Sequence, residues 1–582
     1  MSFFRSPALV VAAVAALVLL PNLGGPPLWD DDEPRNAACS LAMLQRGDWV
    51  VPTFNGRLRV EKPALVNWLH LVGFAAVGVN ETGARLGSAL LTIGTALLTM
   101  HIARLIFHRD AGLWAGIVMA TSLWTGVAGR AATPDALLAF CTTLALWVFV
   151  RGVRGAAPEG NGWGHGHVQL SLTAACGIGV ACGLAVLAKG PVGLVLPLAG
   201  LGGFCWWQAA ADPDLGGGAF RRLTRGLTSA WTGLRPFTIL AAAGAVAAPW
   251  YVLVTLRTDG VWLRDFLFVH NVSRFAAPME GHSGPALLYY PVVVLIGTFP
   301  WSMASALIAR HAVRSVIEPA ADAVGVRLAA CWIAAWIVPF SLSGTKLPGY
   351  VWPAYPAIAA LVGLFIADWI RRPSPSTDTW MRAAWCFLAV SGVAIGIGLP
   401  IVAGRFAPGA EWLGIIGLLP VSGAMVAWRC QSAEARLPAS AAWAATACGT
   451  VAILVAVGPH CMGHAGGTRR LVAKLSDTDA PPLASFGVPA SATFYANRRA
   501  GPRGVTPLEH PTQAAAFVAA NPGGHVVVNA RFEETALANL PSHYGVLDAV
   551  TSFPSSQRVL LIGPRPETVR LVESGPPTPR WP

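Results

Sequence analysis

The sequence predicts an α-helical polytopic membrane protein that ends in a small extracytoplasmic α/β domain. Of its 582 residues, 54% are hydrophobic and only 12% are charged, whereas a soluble domain carries roughly 25% charged residues. The mean hydropathy is +0.54. This composition excludes a soluble enzyme, a disordered protein and a fibrous one. The net charge of +12 fits cytoplasmic anchoring charges and anionic lipids, so we expect membrane lipids, and no nucleic acid, as partners.

Thirteen apolar runs, each of about 20 residues, predict about thirteen transmembrane helices. The first begins near Phe4, and we interpret it as a retained helix because no small-residue cleavage pattern follows it. The stretch from Leu65 to Val79 is shorter and carries Asn67 and His70, which favours an interfacial or re-entrant piece. The other runs begin near Gly83, Leu113, Ala136, Leu170, Pro191, Phe237, Ala286, Leu328, Tyr350, Ala383, Trp412 and Ala442.

Basic residues set the predicted orientation, because they concentrate in alternate loops. With a cytoplasmic N-terminus, the inside loops hold Arg109, Arg151, Arg154, Arg221, Arg222, Arg225, Arg235, Arg310, Arg314, Arg371, Arg372, Arg429 and Arg436. An odd number of spans then places the C-terminus outside. The two long outer loops, 25–64 and 257–285, carry several charges of both signs. Topology does not need these charges, so they are candidates for chemistry.

The composition changes after residue 460. Short β-rich runs alternate with helical ones, which predicts an α/β domain over residues 461–582 after a membrane domain over residues 1–460. The ten cysteines are scattered and imply no disulfide framework. The cluster His460-Cys461-x-x-His464 has residue types that ligate metals, but a short exit turn from the last helix is the interpretation we favour.

Carboxylates and lysines at the outer helix ends allow two interpretations each. The run from Asp30 to Glu33 is typical of a helix start, where acids cap the first turn, and equally of a carboxylate base at a membrane-facing active site. Asp135, at the outer start of a later helix, has the same two interpretations. Lys189, between two apolar runs, can extend its ammonium to the interface or hold a lipid phosphate.

Several motifs occur in a fixed order over residues 4–370, and together they resemble a known family. They are Asp32-Glu33-x-Arg35, Gly47-Asp48-Trp49-x-x-Pro52, Glu61-Lys62-Pro63, Arg130-x4-Asp135, Ala188-Lys189-Gly190-Pro191, His270-Asn271-x-x-Arg274 and Ser343-Gly-Thr-Lys346-Leu347-Pro348-x-Tyr350. This ordered set is similar to the bacterial lipid A aminoarabinose transferases and protein O-mannosyltransferase-like enzymes. These are membrane glycosyltransferases of the C superfold, with thirteen helices and an outer domain. Pro34 and Asn36 depart from the family pattern.

The resemblance implies transfer of a sugar from a polyprenyl-phosphate carrier to a glycolipid, such as lipid A, or to a protein. The reaction would take place at the periplasmic face of a bacterial inner membrane. Asp32 is then the expected catalytic base, with Asp135 and Arg35 as further catalytic residues. The leaving phosphate needs cations that hold its charge. The residues expected to bind substrate are Glu33, Glu61, Lys62, Lys189, His270, Arg274, Lys346 and Tyr350.

The resemblance implies no required cofactor and no fixed metal site, although some branches of the superfold bind a divalent cation at acidic loops. A protein O-glycosyltransferase is the nearest alternative to transfer onto a glycolipid. A secondary transporter and a non-catalytic receptor or assembly subunit are alternatives from other classes. Transporters tend to place ionisable groups near mid-membrane within internal repeats, whereas this chain shows no repeat and clusters its acids in outer loops.

Overall fold

The computed structural model describes residues 6–28, 32–155, 168–211, 219–278, 284–285, 287–318, 322–462, 467–475, 481–501, 504–552 and 557–565. The chain divides into two compact units, residues 1–465 and 466–582.

The first unit is built almost entirely of helices. In its N-terminal half these are α1 Pro7–Leu19, α2 Asp32–Arg46, α3 Leu65–Val77, α4 Glu81–Ile106, α5 Arg109–Thr121, α6 Leu123–Ala128, α7 Asp135–Gly155, α8 Leu172–Lys189, α9 Val192–Ala210, α10 Ala219–Leu234 and α11 Pro236–Arg257. The second half holds α12 Val261–Arg264, α13 Arg274–Ala276, α14 Tyr289–Gly297, α15 Ser305–Ile317, α16 Ala323–Leu342, α17 Tyr355–Arg371, α18 Pro375–Phe406, α19 Leu418–Ser432 and α20 Arg436–Met462, with 3₁₀ turns at Trp301–Ala304, Pro348–Ala354 and Glu411–Gly417.

The multi-pass helical class is confirmed, and the described residues contain ten helices long and apolar enough to cross a membrane. The other three predicted spans take shorter or bent forms. The run from Phe4 becomes α1 and the run from Leu113 becomes α5, each with 13 residues. The run from Ala286 becomes α14 and α15, which meet at a bend of 116° and would make an eleventh span if counted together. The predicted interfacial piece is α3, an apolar helix of 13 residues.

Helices α7 and α8 run antiparallel and carry two of the predicted site residues. Asp135 opens α7 and Lys189 closes α8, so the two residues lie at the same end of the helix pair. Small residues let α8 approach α11 closely: a side chain at Gly179 would lie 2.5 Å from the carbonyl oxygen of Ile239. This packing fixes the end of α8 against its neighbours.

Two irregular segments complete this end of the unit. Strands β1 Thr53–Phe54 and β2 Arg57–Leu58 form an antiparallel hairpin. Its turn residues, Asn55 and Gly56, have φ of 50° and 74°, the left-handed pair that a tight two-residue hairpin requires. The second segment is a π-helix over Asp265–Ser273, between α12 and α13. Such segments are rare and occur frequently at functional sites.

The second unit is a five-stranded sheet with helices, as the alternating pattern predicts. Its strands are β3 Leu483–Phe486, β4 Val505–Pro507, β5 His525–Asn529, β6 Tyr544–Thr551 and β7 Arg558–Pro564, in the order β4-β3-β5-β7-β6. Strand β3 is parallel to β4 and β5, and β7 is antiparallel to β5 and β6. The helices are α21 Gly467–Ala473, α22 Ala490–Ala500, α23 Gln513–Ala520 and α24 Glu533–Leu537, with a 3₁₀ turn at Ala530–Phe532.

Candidate active site

A cavity of about 660 Å³, including its open mouth, brings six of the predicted site residues together. These six residues come from four separate parts of the chain: the first outer loop, α8, the π-helix region and the turn before α17. The six residues are Glu61, Lys62, Lys189, His270, Arg274 and Tyr350. The rest of the lining comes from Leu138, Val192, Phe266, Asn271, Phe275, Phe340 and Ser343.

Lys189 is held between an acid and an aromatic ring. Its ammonium donates a hydrogen bond to Oδ1 of Asp135 and lies 5.0 Å from the centre of the Tyr350 ring, within the range of a cation–π interaction. The backbone of Gly349 passes so close that a side chain there would lie 2.9 Å from Oδ2 of Asp135. Asp135 is therefore enclosed by a cation and by the turn before α17.

Lys62 is a half-buried cation that lines the cavity. Its burial disfavours the charged form and lowers the pKa of Lys62 to about 8. The nearby ammonium of Lys189 and guanidinium of Arg274 lower this pKa further, while the carboxylates of Asp32 and Asp135 raise it. These opposing effects place Lys189, Arg274, Asp32 and Asp135 within electrostatic reach of Lys62.

Asp32 is the first residue of α2 and is half-buried. Burial alone would raise the pKa of its carboxyl, but the positive charges of Lys62, Arg59, Lys189 and Arg35 outweigh that effect and lower it. A carboxylate so placed is ionised at neutral pH and can accept a proton or orient a hydroxyl group. Asp32 lies within the electrostatic reach of the cavity's cations, as a catalytic carboxylate requires.

Glu33, in contrast, is engaged in holding the loop before α2. Arg85 donates to both of its oxygens, at 2.8 Å and 2.7 Å, and the backbone N–H of Ala132 donates to one of them. The same guanidinium donates to the carbonyls of Leu23 and Pro26. Glu33 is only 5% exposed. Its buried ion pair with Arg85 anchors the first turn of α2, and Glu33 does not line the cavity.

Lys346 is also placed as a structural cation. Its ammonium donates to the backbone carbonyls of Phe340, Ser341 and Ser343, at 3.3, 2.8 and 2.8 Å. These are the orphan acceptors at the C-terminus of α16, where a cation is favoured by the helix dipole. Because its three donors are used in this cap, Lys346 supports the turn before Tyr350 rather than lining the cavity.

Arg35 stands one turn from Asp32 on α2 and is half-buried. Its positive charge is among those that lower the pKa of Asp32, and among the described residues its Nε has no hydrogen-bond partner. Arg35, expected as a catalytic residue, therefore acts on Asp32 through a longer-range electrostatic attraction.

Sequence reasoning missed two kinds of residue. Asn271 and Ser343 line the cavity, and both lie inside the quoted motifs, but neither carries a charge that would have attracted notice. Arg59 is 4% exposed and hydrogen-bonds to Glu61 and Asn36. Strand alternation could not have revealed Arg59, because it places residues two apart, such as Arg57 and Arg59, on the same face, and Arg57 is exposed.

No group of three or more His, Cys, Asp or Glu side chains in the described ranges is arranged to hold a metal ion. The His460-Cys461-x-x-His464 cluster falls partly outside the described residues. The divalent cation that the resemblance allows at the acidic loop stays a prediction.

Comparison with known proteins agrees with this geometry. Residues 10–248 match the family described as dolichyl-phosphate-mannose-protein mannosyltransferase. The chain is 28% identical over 432 residues to the undecaprenyl phosphate-alpha-4-amino-4-deoxy-L-arabinose arabinosyl transferase of Pectobacterium carotovorum. The aligned region makes up 72% of this chain and 69% of that protein. The enzyme of the same name from Pseudomonas aeruginosa is 30% identical over 368 residues, or 62% of this chain and 59% of that protein.

A solved structure matches nearly the whole chain. The crystal structure of ArnT from Cupriavidus metallidurans bound to undecaprenyl phosphate superposes with a TM-score of 0.72 over 95% of this chain and 97% of that one, at 22% sequence identity. The chain is a membrane glycosyltransferase. The resemblance predicted from the ordered loop motifs is confirmed, as is the C-superfold class. Because the chain is a glycosyltransferase, the transporter and receptor alternatives no longer apply.

Proposed function

We propose that this glycosyltransferase moves a sugar from a polyprenyl-phosphate carrier to a lipid A-like glycolipid at the periplasmic face of a bacterial inner membrane. The observation that carries the proposal is the cavity lined by Lys62, Lys189 and Arg274, three cations beside the carboxylates of Asp32 and Asp135. Three cations around one opening suit a phosphate that gains negative charge as the sugar leaves. The relatives with undecaprenyl phosphate in their names support this choice of carrier.

The reaction would break the bond between the anomeric carbon and the carrier phosphate and form a bond from that carbon to an acceptor oxygen. The phosphate leaves as an anion, so no acid needs to protonate it. An acceptor hydroxyl loses its proton to the Asp32 carboxylate. An acceptor phosphate is already ionised, and Asp32 would then orient it through the cations around it.

The orientation belongs to the same proposal. Lys189 at the end of α8 and Asp135 at the start of α7 lie together. The basic residues Arg109 at the start of α5, Arg371 at the end of α17 and Arg429 in the last turn of α19 lie at helix ends on the opposite side from this pair. The rule that basic residues favour the cytoplasm therefore supports a periplasmic site. With a cytoplasmic N-terminus, the second unit would also be periplasmic.

Protein O-glycosylation is the second candidate function. The match of residues 10–248 to the protein mannosyltransferase family favours it. Both candidates use the same cavity and the same leaving group, and they differ only in the acceptor.

Comparing cells with and without the gene by mass spectrometry, for both lipids and glycoproteins, tests the proposal. We expect a sugar on a glycolipid that disappears in the deletion strain and returns with the intact gene, but not with the Asp32→Asn variant. A loss confined to glycoproteins would favour the second candidate. Unchanged lipids and glycoproteins, with purified protein inactive on undecaprenyl-phosphate-linked sugars, would contradict both.

A further inference from the structure

Arg59 is a buried cation just behind the cavity wall. It follows strand β2, and its backbone N–H donates to the carbonyl of Pro52 at 2.9 Å. Arg57, in the strand itself, is exposed, whereas Arg59, just past its end, is only 4% exposed. A buried charge is costly unless it is paired and hydrogen-bonded, so the partners of Arg59 indicate what it does.

The guanidinium of Arg59 joins two of the loops that build the site. Its Nε donates to Oε2 of Glu61 at 3.1 Å, on the loop that carries Lys62. Its other nitrogens donate to the carbonyl of Arg35 at 3.2 Å and to Oδ1 of Asn36 at 2.7 Å. Both of these acceptors lie on the first turns of α2, which begins with Asp32.

The backbone of Arg59 reaches the third loop. Its carbonyl accepts a hydrogen bond from the indole N–H of Trp262 at 2.8 Å. The Trp262 ring stacks on Phe266 with 4.7 Å between ring centres, and Phe266 lines the cavity in the π-helix that also carries His270. One residue thus connects α2, the Glu61–Lys62 loop and the π-helix.

Its charge acts on the same groups. Burial would raise the pKa of Glu61, and the positive charge and hydrogen bond of Arg59 outweigh that effect and lower it. Arg59 also helps to lower the pKa of Asp32, after Lys62. Neither effect requires Arg59 to reach the cavity itself, and it is absent from the lining residues.

We propose that Arg59 is a positioning residue of the transferase: it holds Glu61 as an anion in the cavity wall and fixes the turn of α2 that presents Asp32. This inference rests on the proposed function, since it assigns to Arg59 the geometry and the ionisation of the carboxylates that the transfer uses. It does not make Arg59 a contact of the donor or the acceptor.

Three variants test the proposal: Arg59→Ala, Arg59→Lys and the matched control Arg57→Ala, which changes an exposed arginine of the same hairpin. Purified proteins are compared for kcat and KM with an undecaprenyl-phosphate-linked sugar across a range of pH. We expect Arg57→Ala to match the wild type. Arg59→Ala should lower kcat by about tenfold to a hundredfold, the range for losing hydrogen bonds to charged groups.

The pH profile separates positioning from simple support of the fold. Removing a cation raises the pKa of nearby carboxyls, so the acid limb of kcat should move to higher pH in Arg59→Ala. Arg59→Lys keeps the charge and should keep the acid limb near that of the wild type. Its kcat should still fall, because one ammonium cannot span the acceptors that the planar guanidinium reaches.

Turnover by the wild type tests the proposed function, and the ratios between variants test Arg59. An Arg59→Ala protein with wild-type kcat and an unmoved acid limb would overturn the inference, as would an equal loss in Arg57→Ala. If Arg59→Ala does not fold, the folded Arg59→Lys protein still decides: an unchanged kcat in that variant contradicts the positioning role.

Discussion

Lys189 and Asp135 form an ion pair although they stand 54 positions apart in the chain. Asp135 begins α7, where an acid would also be expected simply as a helix cap. Lys189 ends α8, where a lysine would be expected simply to complement the helix dipole. Their pairing at the edge of a cavity, with the Tyr350 ring over the ammonium, makes them one unit of the site.

A double-mutant cycle tests that unit. We expect Asp135→Asn and Lys189→Gln each to lower turnover strongly. The turnover of the double variant should be only slightly below that of the less active single variant. Residues that act as a unit are non-additive in this way. Fully additive losses, with the double variant reduced by the product of the two factors, would show that the pair in the structure does not act together in the reaction.

The titration of Lys62 predicts how binding of the carrier depends on pH. Because burial lowers the pKa of Lys62 to about 8, its ammonium is present below that pH and is lost as the pH rises through it. We therefore expect binding of undecaprenyl phosphate by the purified protein to weaken as the pH rises through about 8. Isothermal titration or native mass spectrometry at several pH values measures this.

The Lys62→Arg variant is the matched control for that experiment. A guanidinium stays protonated throughout the range, while the titration of the lipid phosphate is the same for both proteins. The difference between the two pH profiles therefore reports Lys62 alone. Identical profiles for wild type and Lys62→Arg would contradict the role of its ammonium in phosphate binding.

Arg274, at the end of the π-helix, should show a stricter requirement. Arg274→Ala should weaken undecaprenyl phosphate binding by about tenfold to a hundredfold, the range for hydrogen bonds to charged groups. Arg274→Lys should remain impaired, because a guanidinium can hold two phosphate oxygens at once. Arg264 lies on α12 before the same π-helix and pairs with Asp265 outside the cavity, so Arg264→Ala serves as the control. Equal effects at Arg264 and Arg274 would indicate a general loss of positive charge.

Apolar run length was sufficient to predict the helical class and most of the spans, because a span needs little beyond about 20 apolar residues. It could not predict the bend between α14 and α15 or the break after α5. At that break, Ser122 adopts an extended conformation and the N–H of Leu123 bonds to the carbonyl of Phe299. A contact across 176 residues leaves no periodic signal in the local sequence.

The charged residues that line the cavity were predictable from the order of the motifs. Which charged residues of those motifs line the cavity and which hold the fold was not predictable. Glu33 and Lys346 carry the same kinds of charge as Glu61 and Lys62. Tertiary partners determine which of these residues line the cavity. Arg85 donates hydrogen bonds to both oxygens of Glu33, and the ammonium of Lys346 donates to three backbone carbonyls. A list of charges along the chain contains no such partners.

The proposed orientation predicts which surfaces a membrane-impermeant thiol reagent can reach. Glu509 is exposed in the second unit, and Glu434 is exposed between α19 and α20. In intact spheroplasts, Glu509→Cys should be labelled and Glu434→Cys should be labelled only after lysis, each measured against the parent with its own ten cysteines. Labelling of Glu434→Cys alone in intact spheroplasts would reverse the orientation.

The Asp32→Asn variant tests the base. Asparagine keeps the size of the side chain and cannot accept the proton, so donor binding should persist while turnover falls. General base catalysis contributes typically about 10²–10⁴-fold, and we expect a loss of that order in kcat if the acceptor is a hydroxyl. Because the surrounding cations lower the pKa of Asp32, the wild-type carboxylate should stay active down to a pH below the usual range for an aspartate.

Three neighbouring acids supply the controls for this variant. Asp30→Asn and Asp31→Asn change the charge of the same loop, and an equal mild loss in all three aspartate variants would favour helix capping over catalysis. Glu33→Gln breaks the pair with Arg85, so it should lower thermal stability, a loss that Asp32→Asn should not share. Partial activity in Asp32→Asn would point to an acceptor phosphate, which needs no base. A stable Asp32→Asn protein with full turnover would remove Asp32 from the mechanism and leave Asp135 as the carboxylate to test.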